Sequence, residues 1–520
     1  MVSNLKQWAL PIATFFLASF AIYSVSLEFY FLVPSDDTAY IFRNPYLHEI
    51  SWANTIAIFS NLFFGDYLPL NLLSYSWDFT WWGFDPFGYH LTQVILHASN
   101  ACLLFAVLRL LQVPERAAWF SVLIFVVHPI HVESVVWISE RKNLLSSLFI
   151  LLSTWFYLQH ATSLRFRRSQ YYLCLLSFIL ALFSKSISVM LPCIFVLLDF
   201  FVLKRQWRVM EKIPFFLLSI LVGLATMGSL DAVVGENVDA GRGFSTALFY
   251  AIRVCWDYAV SLVFPFQLSP LYYSQSLSLV DVQAVLAYLI FVGICFYVVK
   301  NFRSKPYVMF AIGWFVVWLL PVSNIIPIPV FRQDRYLYLP SMSVIVGVAI
   351  GLENWGRRQP FKVNAMMVGA LFFLASLSFL SSFFYASGHA YWHRVARQNP
   401  LTAYAQVAAG DQCAKIENII CAEKYYRRAL VIDPEHAYAL NNMGALLVDL
   451  KRYEEARAIL KKAIQVSPTN AMAYRNRIVL AKRSGLGKEE IPAWIEKFNR
   501  FNQTGKKKDI FLGEFRFSKE

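Results

Sequence analysis

Apolar runs long enough to cross a bilayer recur along this chain from residue 8 to residue 386, and they fix its class before any motif does. They fall at about 8–28, 89–111, 117–135, 144–160, 170–184, 187–203, 213–230, 280–299, 306–321, 338–353 and 363–386. A helix needs roughly 20 such residues to traverse the hydrocarbon, so eleven crossings are expected. Composition agrees: 58% of the 520 residues are hydrophobic and 15% are charged, against roughly 45–50% and 25% in soluble domains. The first run follows Lys6 and has no small-residue cleavage site, so it reads as an uncleaved signal anchor. The expected fold is all-α, a polytopic membrane helix bundle with a shorter helical part behind it.

Charge orients the runs. Basic residues cluster at Arg109/Arg116, Arg165/Arg167/Arg168, Lys204/Arg205/Arg208/Lys212, Lys300/Arg303/Lys305 and Arg357/Arg358/Lys362. Under the positive-inside rule these loops face the cytoplasm. The alternate loops are acidic or mixed. The first, about 29–88, holds Asp36, Asp37, Glu49, Asp66, Asp78 and Asp85 against Arg43. A further apolar stretch, about 246–264, carries Arg253 and Asp257 at its centre. The alternation holds only if that stretch does not cross and lies in a second external loop, about 231–279. The membrane domain is then 1–387, with everything after it on the same outer side as Asp36 and Asp37.

Pro400, Pro434 and Pro468 recur at 34 residues, and small residues recur with them at Gly410/Gly444, Ala422/Ala456 and Ala429/Ala463. A proline ending the second helix and small residues at helix crossings are the tetratricopeptide pattern, of period 34. A third unit begins at Ala471 as a cap, giving a repeat domain over 388–500. Such units stack into a concave peptide-binding surface; with so few of them, a rigid lid is the competing role. Cys413 and Cys421, eight residues apart in this part, are spaced for a disulfide across a helix hairpin if the part is extracytoplasmic. From residue 388 onward, 23 Lys and Arg stand against 14 Asp and Glu. That excess fits anionic lipid headgroups better than nucleic acid. The tail 501–520, with Lys506, Lys507, Lys508, Phe511, Phe515 and Phe517, reads as an interfacial segment or as a frayed basic end.

Candidate chemistry collects at the outer ends of the spans. Paired carboxylates beside a membrane are costly to desolvate, and one reason to keep them is proton transfer from an acceptor hydroxyl. Asp36 and Asp37 are therefore the candidate catalytic pair, with a helix cap as the structural alternative for one of them. Arg141, Lys142, Lys185 and Arg335 are candidate phosphate ligands, Arg as a bidentate fork and Lys as a point charge. A loop end for Arg141 and Lys142, and an intraloop ion pair for Arg335, are the plainer readings. His90, Gln93, His97 and Asn100 form one helical stripe that faces the bundle interior, either lining the site or knitting helices together. His128, His131 and Glu133 carry metal-ligand spacing but lack a visible fourth ligand, so hydrogen-bonded histidines are favoured. Asp334 and Tyr336 complete the lining. No cofactor is implied, and a divalent metal stays open.

The order Asp36-Asp37, Asn44-Pro45, Pro69-Leu70, Trp82-Gly83, Pro86-Phe87-Gly88-Tyr89-His90, His128-Pro129, His131-Val132-Glu133-Ser134, Glu140-Arg141-Lys142, Ser184-Lys185 and Asp334-Arg335-Tyr336 resembles the membrane glycosyltransferases carrying tetratricopeptide repeats, the TMTC-type O-mannosyltransferases and their bacterial relatives. The resemblance implies the GT-C fold, a polyprenyl- or dolichyl-phosphate sugar donor, and inverting transfer to protein Ser/Thr on the extracytoplasmic face. It maps the family's acidic motif onto Asp36 and Asp37. The chain departs from the pattern at Ser186, where the family has Pro, and at Asn143, where it has an acidic residue. The short repeat array points to a bacterial inner membrane with a periplasmic site, the endoplasmic reticulum lumen being the alternative. A lipid or glycan acceptor, or a non-catalytic scaffold that recruits partners through its repeats, are the competing functions. A transporter would show inverted repeats among the spans, which are not apparent.

Overall fold

The computed structural model describes all residues except 1, 34, 64–65, 164–167, 206–207, 235–242, 274–280, 326–331, 486 and 506–520. The basic and aromatic tail from Lys506, and Arg165 and Arg167 of one basic loop, lie outside the described residues. Among the described residues the chain is helical and has no strand, and Phe63 and Asp66 form an isolated bridge. It forms two compact units: Met1–Pro270 with Ser276–Ser387, and Leu271–Gln275 with Gly388–Glu520.

In the first unit, eight described helices are long and apolar enough to cross a membrane, and nine if the bent pair Glu115–Val127 and Pro129–Val136 is one span. The bend of 51° falls where Pro129 removes a backbone donor and blocks the helical ladder. The expected count of eleven is not reproduced. Arg168–Leu182 and Pro306–Val322 are apolar but short, and the run at 338–353 becomes the 17-residue helix Pro340–Gly356. Conversely, the stretch set aside for its central charges forms the helix Phe244–Val263, and Ser245–Val263 meets the same length and composition test. Its charges are matched locally: Arg253 Nε lies 3.1 Å from Asp257 Oδ1, one turn on, and Nη1 lies 2.7 Å from Asp281 Oδ1.

The loop that follows the first apolar run is itself folded. Ser51 Oγ accepts from the Asn54 N–H at 3.2 Å and starts the helix Trp52–Ser60. Pro69 opens the helix Pro69–Trp82, and Gly83 ends it at φ +57°, a left-handed turn that glycine adopts without strain. Asp85 Oδ1 accepts from the Phe87 N–H at 3.0 Å at the head of the Pro86–Leu110 helix. These pieces enclose a core of Tyr40, Ile41, Leu72, Tyr75, Tyr89 and Ile138. Arg141 pins the loop to the bundle. Its side chain is fully buried, paired with Asp78, and it donates to the Ser74 and Tyr89 carbonyls at 3.1 Å each. Its guanidinium also lies 4.5 Å from the centre of the Tyr75 ring.

The second unit holds three helix hairpins: Ala403–Lys415 with Ile419–Ile432, Ala437–Asp449 with Tyr453–Val466, and Ala471–Ser484 with Ile491–Gly505. Their small residues sit where helices cross. Ala422, Ala429, Ala456 and Ala463 are completely buried, and a Cβ on Gly410 or Gly444 would strike the Tyr426 ring or the Leu460 side chain. The turn inside each hairpin repeats too. Glu417, Lys451 and Gly485 all adopt left-handed backbone, at φ +59°, +59° and +84°.

Two stability outcomes follow. Replacing Arg141 with Ala strands a nearly buried Asp78, a loss of about 3–5 kcal/mol that thermal unfolding of the detergent-solubilised chain would register. Gly444→Ala forces a methyl against the fully buried Leu460, and overpacking of this kind costs about 1–3 kcal/mol. Its unfolding midpoint should fall, whereas Ala at the open, mid-helix Gly369 position should not lower it.

A buried charge cluster as candidate active site

The two acidic residues that follow the first helix have different surroundings. Asp37 is buried and its acceptors are filled. Its Oδ2 accepts from the Leu32 N–H at 2.8 Å, and its Oδ1 from the Ser139 N–H at 3.0 Å and from the Ser139 hydroxyl. Its own N–H donates to Ser35 Oγ at 3.2 Å. Burial pushes the Asp37 carboxyl up to about 6, with the Ser139 and Leu32 bonds opposing. The half-buried Asp36 carboxylate has no hydrogen-bond partner among the described residues. Burial raises its carboxyl above the ordinary aspartate range, Lys142 and Arg335 pull it down, and Glu140 and Asp66 push it up again. The pair therefore divides into an anchored carboxylate and an uncommitted one in a cationic field.

The source of that field is a cluster built around Glu140, in the short turn before the Arg141–Ala161 helix. Arg335 Nε approaches Glu140 Oε1 at 3.1 Å, Lys185 Nζ approaches Oε2 at 3.6 Å, and Lys142 Nζ lies 3.9 Å from Oε1. Arg335 also spans to Glu133, with Nη1 at 2.9 Å from Oε1 and its backbone N–H donating to Oε2 at 3.0 Å. Bringing ions out of water costs several kcal/mol each unless partners surround them, and here each cation has a carboxylate and an aromatic face. Arg335 lies 5.0 Å from the Trp137 ring centre, Lys142 5.1 Å from Tyr40 and Lys185 5.6 Å from Tyr336. Asn143 cross-links the group: its amide donates to Ser134 Oγ at 2.8 Å and to the Arg335 carbonyl at 2.9 Å, and its oxygen accepts from Lys185 at 3.1 Å. Burial lowers the Lys185 ammonium to about 8, with Glu140 opposing.

Lys142, Lys185, Arg335, Glu133 and Tyr336 are thus brought together from segments far apart in the chain. Arg141 is not among them, since the adjacent position on its helix points its guanidinium at Asp78. Nor do the histidines converge as metal ligands. His128 Nε2 is 3.0 Å from the Leu262 carbonyl, and His131 Nε2 is 3.4 Å from Ser341 Oγ. His97 Nδ1 is 2.8 Å from the Tyr338 hydroxyl, and Asn100 donates to that hydroxyl at 3.1 Å. Gln93 donates to the Trp137 carbonyl at 2.9 Å. The polar stripe therefore bonds helix to helix, and His90, buried on the same helix, packs edge-on to Phe29. Asp334 Oδ2 accepts from the Ser269 N–H at 3.2 Å and, with Glu133, Leu268, Ser269 and Pro129, lines a small adjoining cavity. Glu140 is the residue that sequence reasoning left out of the site. Its place beside Arg141 and Lys142, a carboxylate next to two cations at a span end, was the available signal.

Residues 437–470 match the tetratricopeptide repeat family model. Protein O-mannosyl-transferase Tmtc3 of Drosophila melanogaster is 24% identical over 79% of this chain and 53% of its own length. Human protein O-mannosyl-transferase TMTC3 is 24% identical over 83% of the chain and 53% of its own length. A shorter match, to human protein O-mannosyl-transferase TMTC2, is 33% identical over 22% of the chain and 15% of that protein. The chain thus spans about half the length of the TMTC3 relatives it matches. Among solved structures, the crystal structure of ArnT from Cupriavidus metallidurans bound to undecaprenyl phosphate aligns over 88% of this chain and 80% of that one, at 17% identity and a TM-score of 0.38. Over 79–83% of its length this multi-pass membrane chain is thus similar to the TMTC-type protein O-mannosyl-transferases.

Proposed function

We propose that the membrane unit is a GT-C-type glycosyltransferase that moves mannose or another hexose from a polyprenyl or dolichyl phosphate to a Ser or Thr hydroxyl of a protein, with inversion. The observation that carries this reading is the uncommitted carboxylate of Asp36 in the field of Lys142 and Arg335. Asp36 takes the proton of the acceptor hydroxyl as its oxygen bonds to the anomeric carbon. The bond from that carbon to the phosphate oxygen breaks, and its electron pair leaves with the lipid phosphate. Arg335, Lys142 and Lys185 receive that growing charge, with no reorganisation needed because Glu140 already holds them together. Asp37 is a positioning residue that fixes the backbone beside Asp36. The charge pattern of the loops supports an extracytoplasmic site, periplasmic in a bacterial inner membrane. The concave face of the repeats is the proposed dock for the acceptor protein.

The two aspartates separate under substitution. Asp36→Asn should lower transfer from a hexosyl polyprenyl phosphate to a Ser-containing acceptor by about 10²–10⁴-fold and leave thermal unfolding unchanged; full transfer by this variant would sink the assignment. Asp37→Asn should instead lower stability by about 1–3 kcal/mol, because its amide turns a donor toward the Leu32 and Ser139 donors.

The pH profile offers an independent check. Transfer requires ionised Asp36, so its acid limb should lie above that of an exposed aspartate, near 4, and the rate should climb as pH rises through it. A second limb should fall above about 8, where Lys185 loses its proton, and Lys185→Arg should remove that limb.

A further inference from the structure

The second unit carries a cluster that the proposed transfer does not use. His389 and His393 stand one turn apart on the helix Gly388–Gln398, their ring centres 4.0 Å apart. His393 Nε2 lies 3.2 Å from Cys413 Sγ and 3.8 Å from Cys421 Sγ. Cys413 is completely buried near the end of Ala403–Lys415, and Cys421 sits in the first turns of the next helix. One ligand atom each from His389, His393 and Cys413 lies within 4.8 Å of the others. The outer contacts also suit a ligand set. The Tyr425 hydroxyl lies 3.2 Å from His393 Nδ1, and accepting the ring N–H there leaves the Nε2 lone pair facing the sulfurs. His389 Nδ1 is buried without a hydrogen-bond partner among the described residues. The two cysteines are joined as a disulfide.

We propose that the same four residues form a tetrahedral site for a zinc-class divalent cation when the cysteines are thiols. Two imidazoles and two thiolates are a structural zinc set, with bonds of roughly 2.0–2.1 Å to nitrogen and 2.3 Å to sulfur. Ligand atoms in such a tetrahedron stand roughly 3–4 Å apart, as His393 Nε2 already stands from both sulfurs. Disulfide and metal are alternative occupants of one position. A dithiol donor reduces the disulfide, giving up two electrons and two protons to the sulfurs and becoming a disulfide itself. Zinc binding then displaces both thiol protons to solvent. Either state ties the helix before the repeats to the first repeat hairpin, so the unit stays stapled in both redox conditions.

The full-length chain in detergent, reduced with a phosphine and freed of excess reductant, should be titrated with Zn²⁺ against a chromogenic chelator. Co²⁺ serves in parallel as a spectroscopic probe. The reduced chain should take up about one zinc ion and, with cobalt, show tetrahedral visible bands with thiolate charge transfer. The oxidised chain should take up none. His393→Ala and Cys413→Ser should abolish uptake, and Tyr425→Phe should weaken it by about 10–100-fold. Helical circular dichroism read alongside separates lost ligands from lost folding, and His389→Ala, near the start of its helix, provides a variant with little packing to lose. Absence of uptake by the reduced wild type overturns the site. So does uptake that survives removal of both histidines, which would show adventitious binding by the cysteines alone.

Discussion

The membrane unit has to keep Lys142, Lys185 and Arg335 close together in a place with little water, and among the described residues Glu140 is the one carboxylate within 4.0 Å of all three. Much else follows from that arrangement. The third and fourth apolar stretches must deliver Glu133 and Glu140 to the same level, so the chain between them is broken into short turns. Lys185 must arrive from the join between two helices, and Arg335 from the turn before Pro340–Gly356. Aromatic rings then fill the remaining sides, because a ring face is a partner for a cation that brings no compensating charge of its own. The cluster is thus kept cationic on balance toward Asp36, which an all-carboxylate shell would not achieve.

Much of this was legible in the sequence. The acidic pair, the Glu140-Arg141-Lys142 turn, Ser184-Lys185 and Asp334-Arg335-Tyr336 could each be picked out as polar groups at the ends of apolar runs. Lys142 and Arg335 act electrostatically on Asp36, and Lys185 lies within reach of both of those cations. What could not be read was direction. Arg141 and Lys142 are neighbours of the same charge, yet one helix step turns them to different partners, Asp78 for the first and Tyr40 for the second. The same holds for Asp36 and Asp37, which only the positions of Leu32 and Ser139 tell apart. The helix Phe244–Val263 shows the same limit. Arg253 and Asp257 look prohibitive when summed along a window, but at i and i+4 they face each other and neutralise locally.

The repeats were easier, because their information is a period and not a direction. Gly410 and Gly444 could be matched by spacing alone, and the structure shows the contact that keeps them small. The left-handed turn was hidden, since Glu417 and Lys451 give no sign of it and only Gly485 uses the residue that such a backbone favours.

The Arg141–Asp78 pair reaches beyond stability. Its two members come from the bundle and from the loop that follows the first apolar run, and neither has another charged partner within 4.0 Å among the described residues. The loop therefore cannot be exchanged for that of a cousin protein as a self-contained cassette, because its Asp78 must travel with Arg141. In descent the two positions should change as a couple: a lineage that discards one charge gains by discarding the other.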